Sequence, residues 1–163
     1  SATPNHQTSY ISPIKFRFDM ACAGRLGMEL QPKQMNAEEK AFARKAIESY
    51  KGYRDIVMEG DLYRIGTPYD DTGYYGVMYV SKDKKKAVLF TYCTLYQSRT
   101  LVPKYRLYGL DAQTRYKIRE QNVDKKRFWF DGGTFTGEYL NHAGINPNLN
   151  KIYDSAVFVL EAE

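Results

Sequence analysis

A change of hydrophobic period near Met58 constrains this chain more than any other feature. Upstream, apolar residues recur at three- and four-residue spacing around one short apolar run, which reads as helix, strand, helix. Downstream come short alternating runs divided by turns, with no helix expected beyond a turn or two. Residues 1–57 are too few to bury a core of their own. They read as the end of something larger, and residues 58–163 read as a β domain that follows it.

The upstream part carries recognisable punctuation. Ser12 before Pro13 predicts a helix start, with serine capping and proline losing no hydrogen bond at the first helical position. That helix should run through Phe16, Met20 and Ala23 and stop at a left-handed Gly24. Leu26–Leu30 is short enough for a strand buried on both faces. Asn36 and Glu39 form a capping-box-like pair, and Phe42, Ala46, Ile47, Tyr50 and Tyr53 paint one stripe of a second helix ending near Arg54.

Beyond Asp61, strands are expected at 62–66, 75–81, 87–95, 105–108, 115–120, 127–130 and 152–161, with a helical turn within 136–144. Turns every ~8–12 residues suggest an antiparallel sandwich. The run Lys82–Lys86 lies between two apolar strands and reads as a solvated hairpin turn. That reading absorbs much of the net charge of +5, and no nucleic-acid-binding signature accompanies it. Fifteen tyrosines against one tryptophan suit half-buried sheet positions, ring packed and hydroxyl wet. Apolar residues make up 43% of the chain, ample for a core, yet no run of 18 exists to span a membrane.

Chemistry is harder to find. Cys22 and Cys93 lack a CxxC partner or a ligand cluster, so both read as buried thiols and no metal site is expected. Asp19, Glu29, Asp61, Asp70, Asp71, Asp131 and Glu138 are each better explained as turn, surface or packing carboxylates than as an acid/base pair. No nucleophile elbow, phosphate loop or zinc-protease motif is present. If the upstream part closes a (β/α)8 barrel, the segment Pro4–Thr8 would be a loop at the barrel mouth. Asn5 and His6 are then the candidate binding residues; for His6 the favoured role is hydrogen bonding to loop backbone, with ligand binding or action as a base as the alternatives. No catalytic residue is expected.

Pro4–Thr8, Arg17–Ala21, Gly24–Leu30, Glu38–Lys40 and Tyr50–Arg54 together resemble the C-terminal end of the α-galactosidases of glycoside hydrolase family 36. The resemblance continues in order through Gly60–Arg64, Met78–Ser81, Leu107–Asp111 and Gly137–Leu140 with Ala143 and Gly144. It implies a chain that is mainly β (α+β overall): a C-terminal antiparallel β-sandwich preceded by the last helix–strand–helix of a (β/α)8 barrel. On that scheme Leu26–Leu30 is the eighth barrel strand, flanked by the seventh and eighth helices, and the sequence begins inside the barrel. The resemblance further implies a retaining enzyme acting on terminal α-galactosides, without a cofactor, whose two catalytic aspartates lie on earlier strands. This stretch alone would be inactive, and its partners would be the N-terminal and barrel domains of the same protein and, in an oligomer, further copies. Neither nucleic acid nor membrane is an expected partner. Ser9–Phe18 departs from the Gly-Arg-Val-Thr-Pro-Leu pattern associated with many members, so the substrate subgroup stays open. A sugar-binding sandwich, with Trp129 stacking on a sugar face, is the rival reading.

Overall fold

The computed structural model describes residues 4, 5, 7, 9–29, 31–96 and 103–163. The upstream helices are α1 (Ile14–Cys22) and α2 (Ala37–Glu59), with a 3₁₀ turn at Pro32–Gln34 between them. The strands are β1 (Asp61–Ile65), β2 (Tyr74–Val80), β3 (Lys86–Cys93), β4 (Arg115–Glu120), β5 (Thr134–Thr136) and β6 (Asp154–Ala162), and α3 (Gly137–His142) follows β5. All six strands join one antiparallel sheet in the order β1-β2-β3-β6-β4-β5. The last strand is thus threaded into the middle.

Helix α2 begins as its residues dictate. The Asn36 side chain accepts from Glu39 N at 2.9 Å and Glu39 returns the bond to Asn36 N at 3.1 Å, satisfying two amides that the helix leaves open. It continues past Arg54 because Ile56 and Val57 prolong the buried stripe, and Gly60 ends it. The start of α1 differs from expectation. Pro13 is its N-cap, as Arg17 N reaches Pro13 O; a proline ring has no acceptor for a side-chain cap bond, and Ser12 lies one residue too far out. Gly24 is not left-handed; Ala23 N and Gly24 N close the helix on Met20 O and Ala21 O instead.

The strand expected at 26–30 is also corrected: residues 26–29 are unpaired, and Leu30 lies outside the described residues. A strand exists only by hydrogen-bonding to a neighbour, and no described strand runs beside this segment. Its start is held by Tyr50, whose hydroxyl donates to Gly24 O at 2.9 Å and accepts from Leu26 N at 3.3 Å.

Both faces of the sheet are covered. On one, Phe16, Cys22, Tyr50, Tyr53, Ile56 and Val57 from α1 and α2 pack on Val88, Phe90, Tyr92 and Val157. On the other, Met78, Leu89, Ile118, Phe158 and Leu160 meet Tyr105, Leu107, Phe128, Phe130, Leu140 and Leu149. Strand β3 is therefore buried at every position from Ala87 to Cys93.

The second layer of the antiparallel architecture is built mostly from irregular chain. Residues 105–108 contribute only a single bridge, Tyr105 to Ile145, and residues 127–130 form turns rather than strands. Tyrosine hydroxyls fasten this layer. Tyr74 donates to Leu149 O (3.1 Å), Tyr105 to Tyr92 O (3.3 Å) and Tyr116 to Lys84 O (2.7 Å). All three rings are fully or almost fully buried, so their hydroxyls are dry donors rather than wet ones. Gly144 closes α3 at φ 69°, where a β-carbon would lie 2.2 Å from Tyr105 O.

Candidate functional site

Asn5 sits in a closed turn. Its side-chain oxygen accepts from Gln7 N at 3.0 Å, its carbonyl accepts from Ser9 N at 2.8 Å, and its own N–H donates to Tyr10 O at 3.0 Å. His6 lies outside the described residues. The turn stands beside the sheet through Tyr10, whose ring lies 6.3 Å from that of Tyr153.

The carboxylates are scattered. Asp61 pairs with Lys82, Asp70 accepts from Thr72 N (3.0 Å) in a turn, and Asp131 accepts from Glu120 N (3.0 Å). Glu29, Asp71 and Glu138 are exposed on separate segments. A cleft of about 490 Å³ beside α2 does gather Glu38, Glu39 and Asp124 with Ile14 and Phe42. Two of those acids are engaged: Glu39 completes the α2 cap, and Asp124 accepts from Lys45 at 2.6 Å. No group of three or more His, Cys, Asp or Glu that could hold a metal occurs among the described residues. Cys22 and Cys93 are free and buried, as expected, and burial pushes the Cys22 thiol up to about 11 against a hydrogen bond with Tyr53.

One carboxylate does something its sequence position conceals. Asp19 is 0% exposed. Its Oδ2 accepts from Ser155 Oγ at 2.7 Å and from Lys15 Nζ, and its Oδ1 accepts from Asn122 Nδ2 at 3.1 Å. Lys15 also donates to Ser155 O at 3.1 Å. A second ionic group adjoins the first. Arg127 Nε donates to Glu120 Oε1 at 2.8 Å, Nη1 to Asp154 Oδ1 at 3.1 Å and Nη2 to Ser155 O at 2.6 Å. Burial raises the Glu120 pKa, while the Arg127 guanidinium opposes that rise.

These buried charges are paired and hydrogen-bonded, the only condition under which burial is tolerable. Three donors converge on Asp19, and its carboxyl is closed to solvent. It anchors α1 to β6 and to the segment after β4; it is not placed to move a proton to a substrate. Sequence reasoning left Asp19 as a turn, surface or packing carboxylate and missed Arg127, Glu120, Asn122, Asp154 and Ser155. The one local signal was Lys15, a turn away on the same helix face.

Fold and site together define a helix-backed antiparallel β unit whose buried ionisable groups fasten one element to another. Residues 74–160 match the family described as Glycosyl hydrolase family 36 C-terminal domain, and residues 1–60 match Melibiase. The chain belongs to glycosyl hydrolase family 36. Among its relatives, probable alpha-galactosidase G of Aspergillus terreus is 32% identical over all of this chain and 21% of its own length. Alpha-galactosidase 2 of Hypocrea jecorina is 33% identical, again over all of this chain and 20% of its own. The crystal structure of the GH36 alpha-galactosidase AgaA from Geobacillus stearothermophilus superposes with a TM-score of 0.87 at 27% identity, covering 99% of this chain and 21% of that one. The chain thus spans about a fifth of the length of the proteins it matches.

Proposed function

We propose that this chain is the C-terminal part of a retaining α-galactosidase and that its own role is structural. The enzyme hydrolyses terminal α-linked galactose by two displacements through a covalent galactosyl intermediate, with both catalytic carboxylates on strands outside this chain. Residues 1–57 end the catalytic barrel, residues 58–163 form the C-terminal β domain, and the segment carrying Asn5 and His6 lies at the barrel mouth. The observation that carries this reading is similarity along the whole chain to proteins named α-galactosidases, of which it spans a fifth. The engagement of Asp19 by Lys15, Ser155 and Asn122 supports it, since the one fully buried acid on α1 is spent on packing. The partners in this reading are the upstream domains and, in an oligomer, further copies; α-galactosides are bound by the intact enzyme. No helix among the described residues is long and apolar enough to cross a membrane.

The test is hydrolysis of a nitrophenyl α-galactoside by the 163-residue chain and by the protein extended upstream of Ser1. Cleavage is expected only from the longer protein. A comparable rate from the shorter one refutes the assignment.

A further inference from the structure

The start of β6 is tied to more of the molecule than pairing in a sheet requires. Tyr153 holds a left-handed backbone, φ 60°, which a residue with a bulky side chain rarely adopts and which glycine or asparagine would take at little cost. The strain is held in place on both sides. Tyr153 N donates to Cys93 O at 2.8 Å, and Asp154 and Ser155 take the Arg127, Lys15 and Asp19 bonds described above. What the conformation gains is a direction for the ring. It sits 5.3 Å from Phe16 on α1 and 6.3 Å from Tyr10, the residue on which the Asn5 turn closes. Strain kept where an unstrained residue would serve points to a role for that side chain.

We propose that Tyr153 is a positioning residue for the turn carrying Asn5, so that the sheet sets where that turn stands against the bound galactoside. The proposal rests on the reading that places this turn at the barrel mouth. It gives the β domain a part in substrate binding without any contact to the sugar.

The experiment uses the complete α-galactosidase that carries this chain. Tyr153→Asn removes the ring while tolerating the left-handed backbone, Tyr153→Phe keeps both, and Tyr10→Ala removes the other half of the contact. Tyr10 is 63% exposed, so its loss leaves folding intact. KM for a nitrophenyl α-galactoside should rise at least about threefold in Tyr153→Asn and Tyr10→Ala, with kcat within about twofold, since the loss is of binding geometry rather than chemistry. Tyr153→Phe should keep the parental KM. Leu140→Ala, buried in the layer on the opposite face, should lower the thermal midpoint and leave KM alone. Parental KM in both Tyr153→Asn and Tyr10→Ala, with a raised KM in Asn5→Ala, overturns the positioning role while the mouth reading survives. Parental KM in Asn5→Ala as well removes the mouth reading, and the proposal falls with it.

Discussion

Replacing Asp19 tests whether the buried ionic group holds α1 to the sheet. In Asp19→Ala the Lys15 ammonium is the least damaged partner, because its side chain is 20% exposed and can turn to water. Ser155 and Asn122 have no such exit, being 1% and 6% exposed. A buried polar group left without its partner costs about 1–3 kcal/mol. Allowing the serine hydroxyl to rotate, the two together give about 3 kcal/mol for Asp19→Ala. Asp19→Asn should be milder. The one amide oxygen belongs where Oδ2 was, facing Lys15 and Ser155, and the amide NH₂ then meets the Asn122 side chain. Turning the Asn122 amide over presents its oxygen to that NH₂, so the chief loss is the charge opposite Lys15, about 1 kcal/mol. Urea unfolding followed by far-ultraviolet circular dichroism, at unchanged m-value, measures both. The reasoning fails if Asp19→Ala stays within about 0.5 kcal/mol of the parent or if Asp19→Asn is as damaging as Asp19→Ala.

Three shorter predictions accompany the activity and positioning tests above. Cys22 and Cys93 should resist a thiol reagent such as dithionitrobenzoate until the chain unfolds, because both are buried and burial holds their thiols protonated; rapid titration of the native protein contradicts this. The Cys22 pKa is raised in the folded state from 9.0 to about 11, so the stability contributed by its neutral form is whole below pH 9 and lost between about 9 and 11. Cys22→Ala should therefore flatten that part of the alkaline stability profile, and an unchanged slope counts against it. Trp129 is 70% exposed and touches Phe130 and Phe135 edge-on; its fluorescence should show no saturable change with galactose-containing oligosaccharides, and a saturating quench favours a sugar-binding surface instead.

The parts of the fold that could be read from the residues are those whose cause is local. The α2 cap depends on Asn36 and Glu39, three residues apart, and the β2–β3 hairpin depends on an apolar run either side of the lysine turn. Strand β4 falls on the six residues expected, Arg115–Glu120. The failures have a different origin. Phe128 to Phe130 has strand composition, yet its backbone closes turns, with Asp131 N on Phe128 O and Gly133 N on Phe130 O, because Phe128 and Phe130 are needed to roof the sheet. Phe128 and Phe130 point inward and Trp129 outward. Strand β5 is three residues long, too short to carry a period.

The ionic group was illegible for a topological reason. Lys15 and Asp19 alone look like a solvated pair on a helix face, since residues four apart are helical neighbours. Asn122 and Ser155, which take Asp19 out of that category, lie 103 and 136 positions away. They arrive because β6, the final strand, inserts between β3 and β4 rather than adding at an edge. Until that insertion Asp19 has only Lys15, and burying it against an incomplete sheet would strand a charge at a cost of several kcal/mol. The carboxylate therefore favours the helices docking on the sheet only when the last strand is in place. It also penalises a β6 shifted by one residue, which would turn Ser155 to the opposite face.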